Sequence, residues 1–534
     1  MPEIEIDNLA SVGGIVDVPA YQTPPEAWSF NNNVRYFANG VEKLKGWSSR
    51  FNSPVAQSPN FILYVSAPAQ PFWLWASPTD IWVWDGTSNT KISKTPGAYT
   101  APNLPQWNGT IIGGVPVMNN GTDPPQFWAK YDSITPQLMA DLTNWGTHPD
   151  HPVTCKVIRS FLVYLLALNI TGSGGVSPHE VRWSNEAQPG SLPTTWDFGD
   201  PTHNAGRVFL GDVDSGQIMD GQELGGQFFV YKENSVWRFV FVGGTYIFQD
   251  QVFLETAGLL TANCVALTGD GLKHVFLSQD DLVLHNGFVA EPLLNRRYKR
   301  YLFNQLHPTA YVNSFLLSNP PYEEIWVCYP SSGAPVNADG TIPPNRALIW
   351  NYRYNAISEA DISFTRGAIG TFVASPGTKW VDATIPWNSD IDPWSTQFRR
   401  KVIVCDHTNK QFYMLDDTPL RNGVNFNGIL QRLDLGVLGR TRQGEWIEDF
   451  QHRKMIQNLW PKVVAPSPIQ IQVGYQDTPN GPIRWNAPVT FDPNTQIKVD
   501  GTFGQGRSIA LQFSSLADFR LDGYKMDLAI AGKF

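Results

Sequence analysis

The sequence predicts an all-β protein, and three observations lead to that prediction. The 534 residues include 45 Gly and 41 Pro, and aromatic residues make up 13% of the chain. Apolar runs of about 4–8 residues recur between turn residues, as β-strands do. No segment combines a long helical period with capping residues, and the best helix candidate is the short run Pro136–Thr143 behind a capping Thr135.

Four hairpins of similar design indicate a β-propeller. In each, an apolar strand leads through a polar turn into a second apolar strand, the unit from which propeller blades are built. Asn-Gly and Asp-Gly pairs, such as Asp85-Gly86 and Asn286-Gly287, supply the positive φ angles that tight turns require. We expect roughly five to seven blades. The four hairpins are residues 71–86, 228–239, 274–287 and 402–416.

The C-terminal part of the sequence differs in character. Ile469–Val473 and Ile509–Phe513 alternate strictly between apolar and polar residues, which predicts half-buried strands of a small β-sandwich. The predicted organisation is an appended N-terminal strand or platform segment over 1–55, a propeller with insertions over 56–445, and a C-terminal β-domain over 446–534.

Composition and charge limit the function. The net charge is −9 and only 16% of residues are charged. A protein that grips DNA needs a basic face, so the acidity argues against a tight nucleic-acid binder. It is compatible with a conduit whose wall repels DNA and lets it slide.

The cysteines and the apolar runs indicate a soluble protein made in the cytosol. Cys155, Cys264, Cys328 and Cys405 are too far apart for a CxxC motif, so we expect buried free thiols. The opening Met1–Glu5 lacks the apolar stretch of a signal peptide. The longest apolar run, Ser160–Ile170, is too short to span a bilayer.

Candidate catalytic acids occur as adjacent pairs. They are Asp280-Asp281, Glu323-Glu324 and Asp416-Asp417. Adjacent side chains on a strand point to opposite faces, which makes such a pair a poor acid/base couple for glycoside hydrolysis. The sequence therefore predicts that the protein is not an enzyme.

Metal and cofactor sites are not predicted. His148 and His151 lie three residues apart in a Pro-containing loop. The segment Asp212–Gly216 resembles the start of a calcium loop but lacks its later acidic ligands, so a turn is the better interpretation.

Two basic clusters stand out in an acidic chain: Arg296, Arg297, Tyr298, Lys299 and Arg300, and then Arg399–Lys401. They suit contact with DNA phosphates, an interface with an acidic neighbouring subunit, or a solvated loop. We favour a subunit interface over DNA and take residues 296–300 as the candidate interface.

The tryptophans of the first hairpin have two interpretations. Trp73, Trp75, Trp82 and Trp84 alternate with apolar residues, so both faces of the strands are expected to pack in a propeller core. The alternative is a carbohydrate-binding platform of exposed rings.

Three stretches resemble the nozzle (tail tubular) and hub proteins of short-tailed bacteriophages. The first resembles the opening pattern of that family, the second one of its blade turns, and the third its closing domain. They consist of Pro24–Trp28 with Asn33–Tyr36 and Gly40–Trp47, of Val181–Ser184 with Pro193–Asp197, and of Gly474–Asn480 with Gly504–Arg507 and Phe519–Tyr524. Residues 300–440 carry no matching motif.

The resemblance implies a virion structural protein made in the host cytoplasm. It implies a homo-oligomeric ring, hexameric in such tails, below the portal and adaptor proteins. Genomic DNA would pass through the central channel of the ring, and tail fibres or spikes would dock on it. Nozzle and hub roles fit equally.

Two other function classes stay open. One is a carbohydrate- or receptor-binding tail propeller, which would bind glycans as a monomer. The other is a propeller glycoside hydrolase, which would cleave them.

Overall fold

The computed structural model describes residues 3–66, 71–95, 97–129, 137–146, 154–211, 216–244, 246–371, 400–500 and 504–532. In these residues the chain forms seven four-stranded antiparallel sheets, two larger sheets and one two-stranded hairpin. The helices within these ranges are few and short. They are the α-helix Lys299–Gln305 and the 3-10 turns Ala20–Gln22, Ala310–Asn313 and Pro320–Tyr322.

The seven four-stranded sheets are the blades of a propeller, and the first six use consecutive strands. Blade 1 contains Phe61–Val65, Phe72–Ala76, Ile81–Trp84 and Asn89–Lys91. Blade 2 contains Asn108–Ile112, Val115–Asn119, Gln126–Phe127 and Ala140–Asp141. Blade 3 contains Thr154–Phe161, Tyr164–Gly172, Gly175–Trp183 and Gly206–Phe209.

The remaining blades follow the same order. Blade 4 contains Ile218–Leu224, Gln227–Lys232, Val236–Phe241 and Phe248–Leu254. Blade 5 contains Val265–Leu267, His274–Leu277, Leu282–His285 and Ala290–Pro292. Blade 6 contains Phe315–Asn319, Glu324–Tyr329, Arg346–Asn351 and Ala356–Asp361.

Blade 7 is completed by a strand from the N-terminal part of the chain. Its first three strands are Arg366–Thr371, Arg400–Asp406 and Gln411–Leu415, and its outer strand is Trp47–Arg50. Trp47 pairs with Leu415 and Arg50 with Phe412. The first strand of blade 7 contacts that of blade 1, so the ring of inner strands is closed.

Apolar clusters fill the spaces between neighbouring blades. Trp75 and Trp82 stack with ring centroids 5.2 Å apart, and Trp73, Trp75 and Trp84 are buried. The predicted propeller core is therefore confirmed for three of these four tryptophans, whereas Trp82 is half-buried. All four predicted hairpins are confirmed as the second and third strands of blades 1, 4, 5 and 7.

The two larger sheets form a β-sandwich that uses both ends of the chain. One sheet contains Glu3–Asp7, Val34–Phe37, Gly40–Lys43, Arg453–Val464, Val499–Asp500 and Arg520–Gly532. The other contains Phe30–Asn32, Gly428–Leu435, Ile469–Gln476, Arg484–Trp485, Val489–Phe491 and Ser508–Ser515. The hairpin of Val437–Arg440 and Trp446–Glu448 lies beside them.

The segment predicted as an N-terminal appendage is divided between two units. Residues 3–43 contribute strands to the sandwich, and Trp47–Arg50 belongs to blade 7. Ile4, Trp28, Phe513 and Tyr524 pack in one core, which explains why the N-terminal strands cannot stand apart.

The helix candidate Pro136–Thr143 is not a helix over its described residues, 137–143. Ala140–Asp141 is instead the outer strand of blade 2. Met139 and Leu142 on either side are buried in the clusters next to that blade, so tertiary packing decided the local structure. Nowhere in the described ranges is a helix long and apolar enough to cross a membrane.

The four cysteines are free and buried, as predicted. Burial raises the pKa of all four thiols, to about 12 for Cys405. Because the thiolate is the reactive form, we expect none of them to react with Ellman's reagent in the native protein and all four to react after unfolding. A thiol that reacted fully before unfolding would contradict this burial.

Candidate functional site

The candidate interface run, residues 296–300, lies where the sandwich meets the propeller. The side chain of Tyr298 is fully buried inside the chain, and its hydroxyl accepts a hydrogen bond of 3.0 Å from Asn31 Nδ2. The side chain of Tyr298 is therefore not on the surface of the chain, and the interface over residues 296–300 stays a prediction. Arg296 and Arg300 remain exposed.

The other members of this run also have partners within the chain. The carbonyl of Arg297 accepts hydrogen bonds from the amides of Val16 and Asp17. The carboxylate of Asp17 accepts hydrogen bonds from the amides of Arg300 and Tyr301 at the start of the helix Lys299–Gln305. Lys299 Nζ lies 3.3 Å from Asp280 and 3.4 Å from Asp281. Part of the basic run thus anchors the N-terminal segment.

The second basic cluster is only partly described. Arg399 lies outside the described residues, and Arg400 and Lys401 begin the second strand of blade 7. The histidine pair His148 and His151 and residues 212–215 also lie outside them. Within the described ranges no group of three or more His, Cys, Asp or Glu could hold a metal ion.

In two of the three adjacent acid pairs the two carboxylates have different partners. The side chains of Glu324 and Asp416 are 1% and 8% exposed and both contact Arg35, whereas Glu323 pairs with the exposed Arg353. Asp417 pairs with Arg50 at 2.7 Å. The third pair is not separated in this way, because Asp280 and Asp281 both lie near Lys299 Nζ.

Arg35 is the centre of a buried charge cluster between the sandwich and blades 6 and 7. Its Nε lies 3.0 Å from Glu324 Oε1 and its Nη2 lies 2.9 Å from Asp416 Oδ1. Its guanidinium lies 3.5 Å from the ring centre of Tyr322. Burial raises the pKa of Glu324 to about 7. This side chain also accepts hydrogen bonds from Trp326 Nε1 and Asn319 Nδ2.

Alternate residues of the same N-terminal segment extend this contact. Asn31 Oδ1 accepts a hydrogen bond of 2.9 Å from the amide of Glu359 in blade 6. Asn33 Oδ1 accepts hydrogen bonds from the amide of Asp361 and from Arg421 Nη2. We call Asn31, Asn33 and Arg35 the joint. Asn32 between them also contacts blade 6, where its Nδ2 lies 2.9 Å from Asp361 Oδ2.

Sequence reasoning did not identify the joint as a site. Residues 33–36 were noted only for their family resemblance. The available signal was a run of polar residues, Asn31–Asn33 and then Arg35, next to the apolar Val34 and Tyr36. The partners of Arg35, Glu324 and Asp416, lie 289 and 381 residues away in the chain. Glu359, the partner of Asn31, lies 328 residues away. Separations of this size leave no local pattern in the sequence.

A cavity of about 470 Å³, which we call the axial cavity, lies at one end of the propeller axis. It is lined by residues at or just before the inner strands of blades 2 to 6, among them Asn108, Lys156, Asp220, Asn263 and Val312. Arg159 of blade 3 spans to blade 4, where its Nη2 lies 2.7 Å from Asp220 Oδ1.

Two buried histidines and a tyrosine form a hydrogen-bonded chain between blades 4 and 5. Tyr231 Oη lies 2.8 Å from His274 Nδ1 and 2.7 Å from His285 Nε2. His285 Nδ1 accepts a hydrogen bond from the amide of Gly287, and His274 Nε2 donates one to the carbonyl of Glu223. These contacts assign one proton to each ring, so His285 donates to Tyr231 and Tyr231 donates to His274.

This chain predicts a loss of stability in acid. Burial lowers the pKa of His274 to about 4 and that of His285 to about 3. The unfolded chain binds protons below about pH 6.5 while the folded rings stay neutral. The free energy of unfolding should therefore fall as the pH drops from about 6.5 to 4.5, by on the order of 2 kcal/mol for each histidine.

Urea unfolding at several pH values measures that slope. We expect His274→Gln to remove about half of the dependence assigned to the pair, and His203→Gln, on the surface, to leave it unchanged. A slope that is the same in both variants would show that the buried histidines are not its source.

Comparisons with known proteins identify no family. No protein-family model matches the sequence, and no curated protein matches it. The chain is similar to the solved structure "AfRom2 CNH domain", with 7% identity, 70% of this chain and 97% of that chain covered, and a TM-score of 0.35. It is similar to the Neurospora crassa Pan2 WD40 domain, with 6% identity, 70% and 94% covered, and a TM-score of 0.35. By the topology of its own described sheets, the chain is an all-β protein in which a β-propeller is joined to a β-sandwich.

Proposed function

We propose that this protein is a structural subunit of a short phage tail, a nozzle or hub that assembles into a ring. Made in the host cytoplasm, it would join the virion tail below portal and adaptor proteins and dock tail fibres or spikes. The observation that carries the proposal is the joint, because Arg35 and Asn33 belong to the first family-like stretch and fasten the sandwich to the propeller. A structural subunit needs contacts of this kind, which hold its two units together.

Residues of all three family-like stretches are buried. Trp28 of the first stretch and Tyr475 and Tyr524 of the third lie in the sandwich core. In blade 3, Arg182 forms a buried ion pair with Glu180 at 2.7 Å, and Trp196 packs edge-on against Trp145. Residues of all three stretches therefore support the architecture, which suits a structural protein.

The path of DNA in this proposal lies along the axis of the ring, between subunits. The propeller's own axis does not suit a duplex, because Asn263, just before blade 5, donates a hydrogen bond of 3.4 Å to the carbonyl of Pro105, just before blade 2. Residues from distant blades thus come close together beside the axial cavity. The net charge of −9 favours a wall along which DNA slides without binding.

The mass of the purified chain in solution, with negative-stain images, tests the proposal. We expect a closed ring of about six subunits with a central opening. A stable monomer that binds or cleaves glycans would overturn it.

The exposed part of the basic run gives a sharper prediction for the ring. We expect the double variant Arg296→Glu, Arg300→Glu to dissociate the ring by repelling an acidic neighbouring subunit. Arg442→Glu, at another exposed position, is the control and should leave the ring intact. Mass photometry at constant ionic strength measures both. A ring that survives the double variant would remove residues 296 and 300 from the interface.

A carbohydrate- or receptor-binding role is the second candidate, and exposed aromatic rings favour it. Tyr246 is 78% exposed and Phe288 is 75% exposed, near the tips of hairpins in blades 4 and 5. Exposed rings are the usual platform for sugars. A glycan array with the wild type and a Tyr246→Ala, Phe288→Ala variant tests it, and the absence of binding by the wild type would exclude the glycans on the array.

A further inference from the structure

The axial cavity is enclosed by several blades and is large enough for a small ligand. The hydrogen bond from Asn263 to the carbonyl of Pro105 joins the entrance of blade 5 to that of blade 2, and both residues line the cavity. The end of the second strand of blade 3 adds Asn169 and Thr171 to the wall. A volume of about 470 Å³ lies within the range of about 300–1,000 Å³ that ligand pockets usually have.

The backbone of the cavity wall departs from regular strand geometry at three lining residues. Asn169 has a positive φ of 57° and lies where the pairing between the second and third strands of blade 3 shifts. Met219 lies at a second shift, between the first two strands of blade 4, and Asn263 has a φ of 65°. Irregularities of this kind occur often next to binding sites, where they redirect a side chain.

Asn169 brings a buried carboxamide with an unused acceptor to this wall. The residue is 5% exposed, and its Nδ2 donates to Gln217 Oε1 and to the carbonyl of Ile218, both at 3.3 Å. Its Oδ1 accepts no hydrogen bond from the described residues. A buried amide oxygen without a donor is costly, so a donor from a ligand would be favourable there.

Two hydroxyl groups of the wall also have no partner in the described parts of the chain. They belong to Thr171 and to Tyr311, which lies in the 3-10 turn just before blade 6. A hydroxyl group can both donate and accept a hydrogen bond. Together with the acceptor of Asn169, they offer a ligand both kinds of partner. Hydroxyl groups on the ligand would match all three.

The charges of the cavity wall balance. Lys156 and Arg159 are the cations among the described lining residues, and Asp220 and Glu233 are the anions. Arg159 pairs with Asp220 at 2.7 Å. Gln217 connects the other two, since its Oε1 accepts a hydrogen bond of 3.3 Å from Lys156 Nζ and its Nε2 donates one of 2.8 Å to Glu233 Oε1. The wall therefore favours a ligand without net charge.

We propose that the axial cavity binds a neutral sugar in its pyranose ring form. Its hydroxyl groups hydrogen bond with Asn169, Thr171 and Tyr311. Its C–H groups contact the apolar part of the wall, which includes Leu260 and Val312. A sugar ring combines these two kinds of surface, as the wall does. This inference does not depend on a role in a phage tail.

The cavity is separate from the exposed rings of Tyr246 and Phe288. Both rings follow the third strand of a blade, in blades 4 and 5. In an antiparallel blade, the third strand ends at the edge opposite to the one where the first strand begins. The cavity lies where the first strands begin. Variants can therefore distinguish sugar binding at the two places.

Isothermal titration calorimetry of the full chain with D-glucose, D-galactose, D-mannose and N-acetyl-D-glucosamine tests the proposal. We expect at least one of them to bind saturably, with a Kd on the order of 1 mM or lower. D-glucuronate, which adds one negative charge, should bind more weakly than that sugar, because the charges of the wall balance. Calorimetry is preferred to thermal unfolding, since sugars stabilise most proteins by being excluded from their surface.

The variants locate the binding site. Tyr311→Phe and Thr171→Val each remove one hydroxyl group and should raise the Kd by about threefold to tenfold, the usual effect of one lost hydrogen bond. Asn169→Gly, which tolerates the positive φ, should raise it by about tenfold. Tyr246→Phe removes a hydroxyl group outside the cavity and should leave the Kd unchanged. If Asn169→Gly does not fold, the three other variants still separate the cavity from the surface.

Two results would overturn the proposal. One is that none of the four neutral sugars binds saturably, or that D-glucuronate binds more tightly than all of them. The other is a Kd that Tyr311→Phe and Thr171→Val leave unchanged, or that Tyr246→Phe raises as much as they do, since the sugar would then bind elsewhere.

Discussion

Replacing Arg35 with methionine is expected to lower the free energy of unfolding by about 3–5 kcal/mol. The substitution leaves the carboxylates of Glu324 and Asp416 buried without their cation. An uncompensated buried charge costs far more than a lost surface pair. The loss should also separate the sandwich from blades 6 and 7, because Arg35 connects them. Urea unfolding monitored by tryptophan fluorescence measures the effect.

Two further variants make this test specific. Arg353→Met removes a surface ion pair with Glu323. Because the Arg353 side chain is 63% exposed, the free energy of unfolding should change by about 0.5 kcal/mol or less. Adding Glu324→Gln and Asp416→Asn to Arg35→Met should recover part of the loss, because the buried charges are then gone. Equal effects of Arg35→Met and Arg353→Met would show that the joint does not hold the two units together.

Deleting residues 1–50 is expected to prevent folding of the whole chain. The deletion removes strands from both sheets of the sandwich and also the outer strand of blade 7. Trp47, which packs against Phe364 with ring centroids 4.8 Å apart, is lost with them. An opened blade exposes the strand Gln411–Leu415 as a new edge, and such edges aggregate. Soluble yield and circular dichroism measure the outcome.

Supplying the missing segment separately is the control for this deletion. Co-expression of residues 1–50 with residues 51–534 should restore some soluble protein, since the segment is held by strand pairing and packing and needs no covalent link to the rest. If the deletion variant alone is soluble and unfolds at the temperature of the full chain, these residues are not needed for the fold and this account of their role is contradicted.

The local parts of the fold could be predicted from the sequence. The hairpin of His274–Leu277 and Leu282–His285 is marked by an apolar run, a polar turn and a second apolar run within a few residues. The strands Ile469–Gln476 and Ser508–Ser515 show their buried face by alternation. Both signals follow from neighbouring residues, so no knowledge of the rest of the chain is needed.

The distant pairings could not be predicted. Ser49 meets Gln411 across a separation of 362 residues, and no local pattern shows which strand will close a propeller. Tyr298 looked like part of an exposed basic run, but its partner Asn31 lies 267 residues away and buries it. Arg366 lies between Thr365 and Gly367 in the sequence, and only the folded chain shows that its nitrogens are buried without a hydrogen bond to any described residue.

The most direct test of the central claim is a cryo-electron microscopy reconstruction of the purified full-length chain. The tail-ring account predicts a closed ring of about six subunits. The central opening of the ring lies between subunits and should be wide enough for a DNA duplex. The space along the axis of each single propeller should be too narrow for one. A chain that remains monomeric at every concentration, or a ring whose opening excludes a duplex, would contradict the account.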